Sequence, residues 1–499
     1  MFESLFRWVD SRLGVSKFSR RALNKIFPDN WSFMLGEVAM YCLVVLILTG
    51  IYLTFFFSPS AKVVVYDGSY VPLQGVRMSE AFRSTVRLSF DVRAGMVFRQ
   101  MHHWAALIFV AAIVAHLCRV FFTGGFRRPR ELNWIIGVTL LTLVIFNGFS
   151  GYSLPDDLLS GTGLRIAYSI ALAVPVLGTW IAFLLFGGEF PAPDILSRLF
   201  VLHVLFVPAA IVALLGAHLA ILWNQKHTQF PGPGRTEDNI VGSRLWPTYA
   251  ARSIGLFAGV SALIAALGGL AQINPIWLYG PFEPAAVTTA SQPDWYMGWV
   301  EGAMRLFPAW RLDIFGYTVS ELFWPGVVLP GLTFGLLYAW PFLEARVTGD
   351  RGVHHVLDRP RHRPVRTAIG IGALTFYIVL FIAGAQDIVA QKLGVGVPTV
   401  MWTLRAMLLV LPPFAALVAL KLCHDLTGAD HIEAEKDEIR SAGATDDEGR
   451  DTLDGPVKPP APAGQEPISG DDAPIGAALL GRLVSWLVDR VRNRRRARR

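Results

Sequence analysis

The stretch Arg99-Gln100-Met101-His102-His103-Trp104, carried on through Ala105–Ala115 and closed by His116-Leu117-Cys118-Arg119, decides how this chain must fold. It is apolar over the roughly 20 residues that a helix needs to cross about 30 Å of hydrocarbon. It nevertheless carries His102 and His116, 14 residues apart. At 1.5 Å and 100° per residue, that spacing sets the two imidazoles about 21 Å apart and within roughly 60° of one face. A second apolar stretch repeats the device with His203 and His218, 15 residues apart. Two facing helices of this kind offer two pairs of imidazoles at two depths.

Ionisable groups inside lipid are costly and need a reason. A single histidine is explained by burial in the core or by a proton relay, but two matched pairs are not. Neutral imidazole is the usual axial ligand of low-potential haem iron, and facing helices can close two bis-histidine sites. His103 is a competing ligand, although it points about 100° away from His102. Gly36 and Gly50 on another apolar stretch, and Gly137 and Gly151 on a third, repeat the 14-residue interval. A porphyrin packed against a helix needs residues without side chains at its level. Haem propionates need cations near the membrane faces. Arg99, three residues before His102, and Arg119, three after His116, stand at the two ends of one helix.

The rest of the chain agrees with a membrane protein. Of 499 residues, 53% are hydrophobic and 17% charged, more apolar surface than soluble packing can hide. Spans are expected at Trp31–Phe57, Met96–Phe122, Leu132–Leu154, Leu199–Trp223, Ser253–Ile273, Leu322–Leu343, Arg366–Ala385 and Val400–Cys423. Ile166–Phe186, broken by Pro175 and Gly178, reads as a re-entrant helical hairpin. The fold class is an all-α integral membrane protein, an eight-helix bundle whose first four helices enclose two stacked b haems.

Residues 1–30 read as an amphipathic surface helix with no cleavable signal, 31–250 as the dihaem core and 251–425 as a second membrane region. Residues 426–475, acidic and rich in Pro and Gly, read as a disordered linker, and 476–499 as a basic amphipathic tail. Cys42, Cys118 and Cys423 form no CxxC or CxxCH pattern, so no disulfide framework, c-type haem or iron–sulfur centre is expected in this chain. The net charge of +7 suggests anionic lipid headgroups rather than nucleic acid. Arg127, Arg128 and Arg130, with Arg346–Arg366, fall on one side if eight helices cross. That side is then cytoplasmic and holds both termini. The second span runs inward, so His102 and His203 belong to an outer haem and His116 and His218 to an inner one. The basic-loop histidines His354, His355 and His362 are expected to be solvated.

With these residues in view, the chain resembles the cytochrome b subunit of bc1-type quinol:cytochrome c oxidoreductases, over about residues 20 to 425. Pro293-Asp294-Trp295-Tyr296 is similar to the family's Pro-Glu-Trp-Tyr motif, and Gly151-Tyr152-Ser153-Leu154-Pro155 to its turn after the third helix. The resemblance implies a proton-translocating Q-cycle in a bacterial plasma membrane. Its partners would be a Rieske iron–sulfur subunit, a cytochrome c subunit, a second copy in a homodimer and, in some complexes, a terminal oxidase. It also implies that Asp294 takes a proton from quinol, with Tyr296 as the neighbouring hydrogen-bonding group.

Asp156-Asp157 replaces the usual Trp-Gly, a form associated with the actinobacterial branch, which uses menaquinol. The 15-residue histidine spacing, with Pro208 after His203, is closer to the cytochrome b6 form, where a proline can bend the helix and absorb one residue. Arg252-Ser253 stands where mitochondrial relatives carry a Lys-Asp pair, and Trp223 where they carry an inner-site histidine. Lys226, Glu37 or water is then left to supply protons to the inner quinone. Two other classes compete: a dihaem b anchor for a dehydrogenase, and a transporter with a histidine relay. Eight spans with Pro-Asp-Trp-Tyr argue against the first, and two reducible b-type haems in a difference spectrum would decide against the second.

Overall fold

The computed structural model describes residues 2–286, 292–314 and 316–443. Eight helices among them are long and apolar enough to cross a membrane: Trp31–Thr54, Gly95–Phe122, Glu131–Tyr152, Ile195–Asn224, Leu245–Leu270, Trp324–Thr348, Pro364–Gly384 and Val397–Gly428. Each overlaps one of the eight expected spans. The helices form because lipid offers no partner to backbone N–H and C=O groups, which must be satisfied within each span. The first span packs on the second, the third on the fourth, and the fifth on both the first and the second. Ala39, Cys42, Ala105, Val144, Ile211 and Ile264, one or two from each of these five, share one buried core.

Two helices differ in extent from the expectation. The N-terminal surface helix is two helices, Phe2–Leu13 and Val15–Leu23, because Gly14 between them adopts φ 60°, a left-handed conformation that glycine takes without strain. The helix of the eighth span continues to Gly443, past the expected start of the linker at 426. Residues 429–442 are charged but rich in Ala and Glu, which favour helix. The remainder of the linker and the basic tail at 476–499 lie outside the described residues.

The stretch read as a hairpin is two helices, Leu158–Leu172 and Gly178–Phe186, packed together. The second, nine residues long, rises only about 13 Å and cannot cross a bilayer. Asp157 starts the first of them. Its carboxylate accepts from the backbone N–H of Leu159 and Ser160, and the Ser160 hydroxyl donates to it at 2.6 Å. This capping box satisfies N–H groups that a helix start leaves orphaned.

The fourth span explains its odd histidine interval. Leu202–Phe206 forms a π-helical turn containing His203, immediately before the α-helix Val207–Asn224 with Pro208 in its first turn. Pro208 has no N–H to donate, and the wider turn absorbs one extra residue. Fifteen residues therefore do the work of fourteen.

The basic loops meet. Arg127, Arg363 and Arg366 all reach Asp358, at 3.3, 3.2 and 2.8 Å. Buried Arg130 donates to the carbonyls of His354 and Lys226 and to Nδ1 of His355 at 2.6, 3.0 and 2.9 Å. His354 and His355 are thus half-buried parts of a loop junction rather than solvated side chains. A smaller second unit comprises Trp340–Gly352 and the described part of Leu426–Arg499.

Candidate functional site

The four histidines and four glycines meet in pairs. A Cβ added at Gly50 would lie 3.2 Å from Cε1 of His102, and one at Gly151 only 2.2 Å from Cε1 of His203. At the other depth, a Cβ at Gly36 would lie 3.4 Å from Cε1 of His116, and one at Gly137 3.6 Å from Cε1 of His218. Each glycine therefore opens its helix to the imidazole of its packing partner, first span to second and third to fourth. Gly151 admits no side chain at all.

At one level the His102 and His203 rings stand 6.2 Å apart, centroid to centroid, at 71°. That gap is close to two metal–imidazole bonds of about 2 Å plus the two half-widths of the rings. Their other nitrogens are fixed. Thr49 Oγ1, which donates to the carbonyl of Val45, lies 2.9 Å from Nδ1 of His102, and the carbonyl of Asn147 lies 2.9 Å from Nδ1 of His203. An N–H held in this way leaves Nε2 as the free ligand and sets the ring's orientation. At the other level, Nδ1 of His116 and of His218 are buried without a hydrogen-bond partner among the described residues. Facing imidazoles backed by Cβ-free helices are the donor set that a bis-histidine haem requires.

Arg99 is buried, donating to the carbonyl of Asn274 at 3.0 Å with Trp277 beside it, and Arg119 lies 4.4 Å from the Phe33 ring. Nε of each is buried and unpartnered, and neither meets a carboxylate in an ion pair among the described residues. Buried guanidinium groups without counter-ions suit an anionic ligand group.

The Pro-Asp-Trp-Tyr loop returns to the His102 level. Asp294 Oδ1 lies 2.8 Å from Nε2 of His103, and Tyr296 donates its hydroxyl to Oδ2 at 3.1 Å. Tyr296 is 3% exposed and sits over Gly148, where a Cβ would come within 2.5 Å of the hydroxyl. Burial, with Asp294 beside it, holds this phenol well above the usual tyrosine range, so it stays a donor. His103, set aside as a rival haem ligand by its angle, thus turns to the loop carboxylate. Thr49, Asn147 and Gly148 also escaped notice. Their signal was present: a hydroxyl, an amide and a glycine within four residues of Gly50 or Gly151 in otherwise apolar spans.

On the other side, Glu37 follows Gly36 directly. Tyr249 donates to its Oε1, Ser253 donates to Oε2 at 2.5 Å, and the Tyr41 hydroxyl lies 2.5 Å from Ser253 Oγ. Lys226 instead donates to the carbonyl of Asp238 at 3.1 Å from an exposed position. Trp223 carries the Lys25 ammonium 4.0 Å from its ring. Arg252 pairs with Asp29.

The family model described as Cytochrome b(N-terminal)/b6/petB matches residues 107–281. The cytochrome bc1 complex cytochrome b subunit of Mycobacterium tuberculosis is 52% identical over 428 residues, covering 86% of this chain and 78% of that one. Its namesake in Corynebacterium diphtheriae is 49% identical over 422 residues, covering 85% and 78%. That of Streptomyces coelicolor is 49% identical over 429 residues, covering 86% and 78%. A solved structure titled Hyperthermophilic respiratory Complex III shares the fold, with a TM-score of 0.62 at 20% identity, over 83% of this chain and 99% of that chain. With such identity over most of both chains, this protein belongs to the family of cytochrome b subunits of the cytochrome bc1 complex.

Proposed function

We propose that this chain oxidises quinol at the outer face of a bacterial plasma membrane and reduces quinone at the inner face, both termini being cytoplasmic. His102 with His203, and His116 with His218, would hold two b haems; Arg99 and Arg119 would meet their propionates. Haem b bound there supplies electron carriage between the two faces. The single observation that carries the reading is the matching of each histidine to its own Cβ-free glycine at two depths.

Asp294 is the proton acceptor. A carboxylate beside an apolar pocket can take the proton of a quinol hydroxyl. Aspartate is one methylene shorter than the family's glutamate, so it needs closer support. His103 at Oδ1 and Tyr296 at Oδ2 orient it. Quinol loses two protons and two electrons, one electron passing to a Rieske iron–sulfur subunit and on to a cytochrome c subunit, the other crossing to the inner quinone. The substrate we assign is menaquinol, from the Asp156-Asp157 turn and the actinobacterial relatives. The working unit is a homodimer of the whole complex, in some cells joined to a terminal oxidase.

The test is a dithionite-reduced minus oxidised spectrum of the purified protein. Two reducible b-type haems are expected, and a haem-free spectrum overturns the reading. The variant Asp294→Asn keeps both haems but loses quinol-driven reduction.

A further inference from the structure

Glu37 is a carboxylate within a membrane span with no cation in ion-pair reach among the described residues. A charge placed there needs compensation. Three hydroxyls supply it, in a chain: Tyr41 to Ser253, Ser253 to Oε2, and Tyr249 to Oε1, with Tyr41 also 3.4 Å from Oε2. Glu37 and Tyr41 ride on the first span, Tyr249 and Ser253 on the fifth. Hydroxyls both give and accept protons, so the same chain serves an ionised or a neutral Glu37 by turning its O–H bonds over.

The surroundings are aromatic. The Phe27 ring lies 4.4 Å from that of Tyr249 and 4.3 Å from that of His227. Tyr41 stands 5.1 Å from Phe257. Burial pushes His227 down to about 4, so it is neutral, and its Nε2 is buried without a hydrogen-bond partner among the described residues. Flat apolar faces beside a few convergent polar groups are the composition of a site for a planar ring bearing oxygens. The cluster lies at the His116 level, one residue from the glycine that faces that imidazole. Lys226, the rival donor, is turned to the Asp238 carbonyl.

We propose that Glu37 hands a proton to the quinone reduced at the inner face, with Tyr249, Ser253 and Tyr41 holding the carboxyl and reloading it. This rests on the inner-quinone reading above. The quinone gains two electrons and two protons. The carboxyl O–H of Glu37 breaks as one quinone O–H forms, and the second quinone oxygen takes its proton from water. The carboxylate is then reprotonated from the aqueous side through the hydroxyls.

The test uses the whole complex carrying Asp294→Asn, which silences the outer end. The haems are reduced beforehand and reoxidised by a short-chain naphthoquinone. Adding Glu37→Gln is expected to slow reoxidation by about 10²-fold, and Glu37→Asp or Tyr249→Phe by about tenfold. Redox-induced infrared difference spectra should show a carboxyl C=O band that Glu37→Gln deletes. Reoxidation of Glu37→Gln within twofold of its parent, or an unchanged infrared band, overturns the proposal. If Glu37→Gln does not assemble its haems, unchanged rates in Glu37→Asp and Tyr249→Phe overturn it equally. Failure of the parent itself to be reoxidised by naphthoquinone overturns the inner-quinone reading, and is distinguishable because no Glu37 variant is involved.

Discussion

Nε2 of His103 stands 2.8 Å from Oδ1 of Asp294, although 191 residues separate them in the chain. The residue next to His102, a proposed haem ligand, thereby holds the carboxylate proposed for quinol oxidation. Both side chains are mostly covered, 13% and 14% exposed, so solvent competes little for the bond. Replacing Asp294 by Asn is expected to lower quinol-driven haem reduction by about 10²-fold or more. Replacing His103 by Leu frees one oxygen of a carboxylate that Tyr296 still holds, and the expected loss is nearer tenfold. Stopped-flow reduction kinetics check both, with the haem spectrum confirming assembly. Equal rates in His103→Leu and the parent remove His103 from the site.

The four glycines differ in how much room they leave. Gly151→Ala puts a methyl 2.2 Å from the His203 ring, whereas Gly137→Ala puts one 3.6 Å from the His218 ring, an ordinary contact. The first is expected to lose or displace the haem at the His102 level, and the second to keep both. Overpacking of a rigid core costs about 1–3 kcal/mol, enough to shift a ligand. Haem content per polypeptide and the difference spectrum of each variant separate the cases.

Thr49 accepts the Nδ1–H of His102 while donating to Val45. Such a bond raises the basicity of the ligating nitrogen and favours ferric iron. Thr49→Val removes it with little change of shape. The reduction potential of the His102/His203 haem is expected to rise and that of the other haem to stay put, as read by a spectroscopic redox titration. A shift of both, or of neither, removes Thr49 from that role.

Asp156 lies in the turn after the third span at φ 56°, a left-handed conformation that Asp tolerates better than most residues. Burial pushes its carboxyl from 3.8 up to about 6, with Asp157 adding to the rise and the Ser79 hydroxyl opposing it. A raised folded value means that the neutral form favours folding. The contribution is whole below the unfolded value and is lost as pH rises through about 6. Asp156→Asn, which keeps the turn preference and cannot ionise, should stabilise the protein by up to about 2 kcal/mol above pH 6. The gain should vanish toward pH 4. Thermal melts in detergent across that range give the answer, and a gain independent of pH contradicts it.

Much of this molecule is legible without coordinates, and the reason is lipid. Because a bilayer forces each span to be a long, self-satisfied helix, hydropathy alone locates all eight, and a rigid 3.6-residue period turns the intervals of His102–His116 and Gly36–Gly50 into depths. The charged and polar residues were harder. Ser253 and Glu37 are 216 positions apart, and nothing in their order says that a hydroxyl on the fifth span meets a carboxylate on the first.

What the sequence by itself determined is therefore the number of spans, the two levels and the residues that share each level, since all of these follow from local helical geometry. What only the tertiary structure decided is which side chains complete each level. His103 turned to the carboxylate of Asp294, and a π-helical turn absorbed the fifteenth residue before His218. Glu37, rather than Lys226, entered the hydroxyl cluster. These depend on rotation and packing between helices, where one residue of phase moves a side chain by about 100° and brings it to a different neighbour.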